Sequence, residues 1–140
     1  MALYIASDRP LPLRPPVREA QPFHTAELKP DQEAVRSHFS NPHVLYAGSY
    51  EGCGCGFNYG REHPETDDYP ENLAAAKESV AELVRYVQES GVREIYCCWF
   101  DDESEPTARK RTVTPAILGA QDFFFRFREG GELLTVDRDG

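Results

Sequence analysis

The sequence has little positive charge and no long apolar run. Its 140 residues include 15 lysines and arginines against 24 acidic residues, a formal net charge of −9. Such an acidic chain repels a phosphate backbone, and its basic residues are scattered apart from Arg109–Arg111, so we expect no nucleic-acid partner. No stretch approaches the roughly 20 apolar residues of a membrane helix, so no membrane association is expected.

The first residues also lack the features of a targeting segment. The apolar run before Asp8 is short and no basic region precedes it, unlike a secretory signal peptide. We therefore expect a soluble, cytoplasmic protein. Because thiols stay reduced in that compartment, the four cysteines are expected to be free thiols or metal ligands rather than disulfides.

Chain length predicts a single globular domain over residues 1–140, and no internal repeats are present. Prolines are frequent over 8–22, which predicts an extended arm. The segment Arg9–Pro15 fits the R-x-x-P-x-x-P pattern that SH3 domains recognise. Packing of the arm over its own domain is the simpler interpretation, so we expect no protein partner for it.

Hydrophobic spacing predicts the secondary structure. Strands are expected over Leu3–Ala6, Phe23–Leu28, Val44–Tyr50 and Val92–Phe100, and helices over Pro30–Phe39, Pro70–Ser90 and Thr114–Ala120. From Ile95 onward both alternating sets of residues are apolar, which indicates a strand buried on both faces. Gly130 and Gly131 predict the turn of an antiparallel hairpin over Phe123–Val136.

The order of these elements predicts the fold class. The strand at Val44, the long helix and the strand at Val92 have the lengths of a right-handed β-α-β crossover, so the two strands should run parallel in one sheet. With the C-terminal hairpin added, we expect an α/β fold bordering on α+β. It should have a mixed sheet with helices packed on it.

A candidate site follows from this crossover. The stretch EGCGCGFNYG, residues 51–60, leaves the carboxyl end of the first parallel strand, and Cys97–Glu103 occupies the same end of the second. Ligands of such sheets bind beyond the carboxyl ends of the strands. The sequence therefore predicts a site for a small molecule or a metal ion at this rim.

Thiolates make a metal site one interpretation of the rim. Gly54 would let Cys53 and Cys55 chelate one ion, and zinc is the ion that this chemistry suits. Neighbouring strand residues point to opposite faces, so Cys97 and Cys98 are not both expected to reach it, and we expect Cys97 as the third ligand. Candidate fourth ligands stand nearby in the sequence, namely His63, Asp101 and Asp102.

A nucleophilic thiol is a second interpretation. The run CGFNYGR, from Cys55 to Arg61, resembles the Cys-x5-Arg phosphate loop of protein tyrosine phosphatases. The resemblance covers seven residues and implies Cys55 as nucleophile and Arg61 as phosphate clamp. It also implies a general acid among Asp67, Asp68, Asp101 and Asp102. Thiol redox chemistry, with Cys53 or Cys97 as the resolving partner of Cys55, is a related possibility.

The third interpretation is structural. Buried free cysteine packs as a small apolar residue, so the protein could be a non-enzymatic structural or interaction protein with reduced cysteines. The acidic run Asp101–Glu105 would then be a solvated loop, and Arg109–Arg111 could pair with it. The sequence leaves the metal, thiol-enzyme and structural interpretations open.

Overall fold

The computed structural model of the chain describes residues 1–57, 69–120 and 131–137, and it contains a mixed six-stranded sheet with helices. The strands are β1 (Ala2–Ser7), β2 (His24–Ala26), β3 (His43–Gly48), β4 (Glu94–Cys98), β5 (Thr107–Val113) and β6 (Gly131–Val136). Their order across the sheet is β2-β3-β1-β4-β6-β5. The predicted α/β fold is confirmed.

The helices lie between these strands. They are a 3-10 helix at Pro30–His38, a 3-10 turn at Gly54–Phe57, and the α-helices α1 (Tyr69–Ser90) and α2 (Pro115–Leu118). The three- and four-residue spacing of apolar positions predicted α1 to within one residue at its start. In α2 the Thr114 side chain accepts a hydrogen bond from the Ile117 N–H, which caps the first turn. Among the described helices, none is long and apolar enough to cross a bilayer.

The first 3-10 helix corrects the expected helix type. Its apolar stripe is thin, because only Val35 is buried among its nine residues. The Lys29 carbonyl accepts a hydrogen bond from the Gln32 N–H at 2.9 Å, which is the tight i to i+3 pattern. The segment is therefore a cover over one sheet face rather than a long packed helix.

Strand β1 separates the two strands of the predicted crossover. Both β3 and β4 pair with β1 in antiparallel fashion, so they run parallel to each other, as expected, and α1 connects them. In the register, Leu3 lies opposite both Ala47 of β3 and Cys97 of β4. Two interstrand spacings of about 4.8 Å therefore place β3 and β4 about 10 Å apart.

The central strands of the sheet are buried on both faces. One face packs against α1, and its core includes Leu3, Ile5, Ile95, Cys97, Leu134, Val80, Leu83 and Val87. The opposite face is covered by the first 3-10 helix, and its core includes Ala2, Tyr4, Val35, Tyr46, Tyr96, Cys98 and Leu133. All of β4 is buried, as its two apolar sets of residues predicted.

Strand β5 was not predicted. The run Arg109–Arg111 lies in this edge strand, which pairs in parallel with β6 and has mostly exposed or half-exposed residues. Arg109 and Arg111 form ion pairs with Glu132 at 3.4 and 3.1 Å, not with the acidic run that precedes them. Propensity missed the strand because its residues show no apolar alternation, and pairing with β6 forms it.

Strand β6 lies within the predicted C-terminal hairpin, but its two partners in the sheet differ from the predicted hairpin strand. It pairs with β4 on one side and with β5 on the other. The predicted first strand of the hairpin, from Phe123, lies outside the described residues. The predicted face pattern holds within β6, where Leu134 and Val136 belong to the core on the α1 side.

The proline arm packs on its own chain. The Arg14 carbonyl accepts the Thr25 N–H at 3.0 Å, and the Arg14 N–H donates to Thr25 Oγ1 at 2.8 Å. Farther along, Tyr86 of α1 donates its hydroxyl to the Pro12 carbonyl at 2.7 Å. These contacts bind the arm to β2 and α1.

Candidate functional site

The predicted rim exists, and three strand ends form it. The carboxyl ends of β3 and β4 lie on the same edge of the sheet, with the start of β1 between them, where Ala2 is opposite Cys98. The Cys53–Cys55 turn follows β3 directly. The crossover thus brings the two cysteine pairs to one edge of the sheet, and β1 lies between them.

Ser49 holds the turn that carries Cys53. Its N–H and its hydroxyl both donate to the Cys53 carbonyl, at 2.9 and 2.6 Å, and its own carbonyl accepts the Gly52 N–H at 2.9 Å. Gly52 has a φ of +85°, a conformation that glycine adopts without steric cost. A Cβ on Gly56 would overlap Ser49 Oγ, so this position also needs glycine. The glycines of the turn therefore have steric roles.

Three residues outside the turn also hold it in place. The Gly54 N–H donates to the Met1 carbonyl at 3.0 Å, and the Tyr46 hydroxyl donates to the Gly52 carbonyl at 2.8 Å. The buried Ser79 of α1 accepts the N–H of Tyr50 at 3.1 Å. The turn is thus preorganised by strand, helix and N-terminal contacts.

The two thiols of the turn contact each other. The Cys53 thiol hydrogen-bonds to the Cys55 sulfur, and Cys53 Sγ accepts the Cys55 N–H at 3.4 Å. The Met1 amino group also donates to Cys55 Sγ, at 3.0 Å, so two donors converge on that sulfur. Burial raises the pKa of the Cys53 thiol above its usual value. Both residues are half-buried, so a small reactant can reach them.

The β4 cysteines are in a different environment. Cys97 is 2% exposed within the core on the α1 side, and Cys98 is 1% exposed on the opposite face. Burial raises the pKa of the Cys97 thiol, and the Glu132 carboxylate adds to that effect. Burial, with Glu103 and Asp102 nearby, raises the pKa of Cys98 to about 12. Both residues are therefore protonated thiols at neutral pH.

The remaining candidate residues are divided between exposed and undescribed positions. Asp101 is exposed on the turn after β4 with a φ of +74°, and Asp102 is half-buried beside it. His63 and Arg61 lie outside the described residues, as do the candidate general acids Asp67 and Asp68. The phosphate-loop interpretation therefore stays a prediction.

In the described parts of the chain, the candidate metal ligands that lie together are the thiols of Cys53 and Cys55. No group of three or more histidine, cysteine or acidic side chains suited to holding a metal ion occurs among those residues. Zinc needs four ligands in a structural site and three protein ligands in a catalytic one. Cys53 and Cys55 alone thus fall short of a zinc site, and Cys97 lies within the core.

A polar network on the far sheet face was not predicted. Glu103, assigned from sequence to a solvated run, is 5% exposed, and its carboxylate accepts the Tyr4 hydroxyl at 3.1 Å. The His38 ring bonds to the Glu103 carbonyl and to Thr107 Oγ1, and it stacks on Tyr96 with 4.0 Å between ring centroids. This network attaches the loop after β4 to the first 3-10 helix.

A buried glutamate with hydrogen bonds to backbone N–H groups lies at the opposite edge of the sheet, where β4 begins. Glu94 is buried at the start of β4, and its carboxylate accepts the N–H groups of Ser40 and Asn41, each at 3.0 Å. A polar cleft of about 670 Å³ lies beside it. Nothing in the spacing of Glu94 marks this role, because its partners are more than fifty positions away in sequence.

No protein-family model, curated protein or solved structure matches this chain. The fold and site define it as an α/β protein with a preorganised dithiol turn at the edge of a mixed sheet. Its function is therefore inferred from the chemistry of its own side chains.

Proposed function

We propose that Cys53 and Cys55 form a redox-active dithiol that exchanges with disulfides. The observation that carries the proposal is the convergence of two donors, the Cys53 thiol and the Met1 amino group, on the Cys55 sulfur. The thiolate is the attacking form in disulfide exchange. Because burial raises the pKa of the Cys53 thiol, we assign Cys53 as the resolving residue and Cys55 as the attacking one.

The exchange has two steps. The Cys55 thiolate attacks one sulfur of a substrate disulfide, the S–S bond breaks, and the other sulfur leaves as a thiolate that takes a proton from water. Cys53 then loses its proton to solvent and attacks the Cys55 sulfur, which releases the second substrate thiol. The substrate disulfide is reduced to two thiols, and the Cys53–Cys55 pair is oxidised to a disulfide. An external dithiol then reduces the Cys53–Cys55 disulfide, is itself oxidised to a disulfide, and so regenerates the starting pair of thiols.

The preorganised turn supports this role. Hydrogen bonds from Ser49 to the Cys53 carbonyl and from Tyr46 to the Gly52 carbonyl keep the backbone near both sulfurs in one arrangement. Holding two reacting groups together raises their effective concentration. All four cysteines are free thiols, which fits the cytoplasm that we propose as the protein's location.

Redox titration tests the proposal. Reduced protein is equilibrated in glutathione buffers of graded poise, quenched with acid, alkylated and mapped by mass spectrometry. We expect a Cys53–Cys55 disulfide that appears with a single midpoint. Cys53→Ser and Cys55→Ser should instead each accumulate a mixed disulfide with glutathione at the remaining cysteine.

The matched control is Cys98→Ser, which should leave the midpoint unchanged because its side chain lies on the far face of the sheet. The proposal is wrong if the turn stays reduced at every poise. It is also wrong if the purified protein carries stoichiometric zinc or copper that Cys53→Ser and Cys55→Ser both release, since the turn would then be a metal site.

A further inference from the structure

The chain exposes aromatic side chains at the dithiol rim. Trp99 and Phe100 follow β4 directly and are 42% and 47% exposed. The Asp102 N–H donates to the Trp99 carbonyl at 3.1 Å, so the segment is a closed turn. Because β4 and β3 end on the same edge, about 10 Å apart, this aromatic pair borders the surface by which a substrate reaches Cys55.

Carboxylates flank this aromatic pair and the dithiol. Glu51, Asp101 and Glu105 are exposed and Asp102 is half-buried, on the two segments that leave β3 and β4. A fifth carboxylate, Glu103, is excluded from this surface because it is buried against Tyr4. The described rim therefore presents an acidic and aromatic surface beside a reactive thiol.

Two cations among the described residues of this edge have acidic or sulfur partners. The Met1 amino group donates to the Cys55 sulfur, and Arg109 near the start of β5 pairs with Glu132 at 3.4 Å. The four rim carboxylates outnumber the Met1 charge, and the whole chain carries a net charge of −9, so we expect a negative field on the approach to the dithiol. An approaching anion is repelled and a cation is attracted.

We propose that this rim is a docking surface for cationic polypeptides and that the disulfides it reduces are flanked by lysine or arginine. The inference rests on the proposed dithiol function. Charge complementarity supplies attraction over roughly a Debye length of 8–10 Å. Trp99 offers an exposed ring, the best aromatic partner for a lysine or arginine side chain. Anionic disulfides, oxidised glutathione among them, should react slowly.

Three matched peptide disulfides test the inference. They are the disulfide-linked dimers of Lys-Cys-Lys, Ser-Cys-Ser and Glu-Cys-Glu with blocked termini, and oxidation of the protein dithiol by each is followed under stopped flow. A reduced Gly-Cys-Gly-Cys-Gly peptide reacts with the same three disulfides and supplies their intrinsic reactivity without the rim.

After division by the control-peptide rates, we expect the lysine disulfide to react with the protein at least about 10-fold faster than the glutamate disulfide at low salt. The ratio should fall toward one in 1 M salt, where screening shortens the Debye length to about 3 Å. A normalised ratio near one at low salt, with all three disulfides reactive, overturns the docking surface alone. Failure of the neutral serine disulfide to oxidise the dithiol overturns the proposed function and this inference together.

Substitutions at the rim test whether the preference for the lysine disulfide arises at this surface. The double variant Asp101→Asn and Asp102→Asn removes two rim charges, and asparagine tolerates the positive φ at position 101. We expect this variant to lower the lysine-to-glutamate ratio at least about 2-fold. Trp99→Ala should slow the lysine disulfide more than the serine one. The single variant Asp101→Asn has a matched control in Glu89→Gln, which also removes one charge but lies near the end of α1, at the opposite rim, and should change the ratio less. Equal effects of rim and control variants would overturn the placement of the surface.

Discussion

The cysteines of the turn and the cysteines of β4 lie at one rim of the sheet, yet their surroundings differ. Cys53 and Cys55 are half-exposed on a glycine turn, and their sulfurs contact each other. Cys97 and Cys98 are buried on opposite faces of a strand. The comparison shows that accessibility and mutual orientation, not residue type or nearness to a rim, decide which thiols can react.

Backbone geometry accounts for much of the difference. Successive strand residues point to opposite faces, so adjacent cysteines in β4 cannot share a reactant. A tight turn with one intervening residue, Gly54, places both side chains on the same side. Burial then separates the pairs further, because it raises the pKa of both β4 thiols and keeps them protonated.

Alkylation rates should show the largest contrast. In the native protein we expect iodoacetamide to modify Cys55 at least about 1,000-fold faster than Cys97 or Cys98, because reaching the β4 thiols requires opening that costs several kcal/mol. Peptide mapping of a time course gives the individual rates, and denaturant should bring them together. Comparable native rates for the two pairs would remove the basis of the comparison.

Glycine substitutions should show the next largest contrast. A Cβ on Gly131 would overlap the hydroxyl of Tyr96, whose buried ring is stacked on His38 and cannot move aside. We expect Gly131→Ala to lower the free energy of unfolding by about 2–4 kcal/mol. In the turn, Gly52→Ala meets no neighbouring atom but has a φ of +85°, so it should cost only about 1 kcal/mol. Urea titration measures both.

Tyr96→Phe separates the steric cause from a general loss of fold. The Tyr96 hydroxyl is buried near Thr107 but makes no hydrogen bond of good geometry with the described residues, so its removal should be nearly neutral. Combined with Gly131→Ala, it should recover only part of the lost stability, because the ring carbon Cζ would still overlap the added Cβ. Strictly additive effects of the two substitutions would show that the hydroxyl does not contribute to the clash.

The pH dependence of the free energy of unfolding above pH 9 should show the smallest effect of a cysteine substitution. The pKa of Cys98 is raised to about 12 in the folded chain against 9.0 for an ordinary thiol. Between these values the unfolded chain gives up a proton that the folded chain keeps, so stability falls as pH rises, by at most about 1.4 kcal/mol per pH unit for one group. Cys98→Ala should reduce that slope above pH 9.

Buried tyrosines also contribute to this loss of stability at high pH, because burial raises the pKa of Tyr4, Tyr46 and Tyr96 as well. The measurement is therefore the difference in slope between variants, taken from urea titrations at successive pH values. An unchanged slope in Cys98→Ala would mean that this thiol ionises normally in the fold.

Part of the fold follows from local pattern. The apolar spacing of α1 and the two apolar sets in β4 predicted both elements, and their order predicted the parallel relation of β3 and β4. Local pattern did not predict β5 or the burial of Glu103. The first depends on pairing with β6 and the second on a hydroxyl from β1, and neither partner is near in sequence.

Local pattern is enough to place a glycine-rich stretch with two cysteines after a strand and before a long amphipathic helix. It does not show that Met1 and Ser79 hold this turn, that β1 lies between the cysteine pairs, or that Cys97 is enclosed in the core, all of which depend on the folded chain. The physical reason is that turn geometry depends on neighbouring residues, whereas burial and hydrogen-bond partners depend on distant segments that meet when the sheet forms.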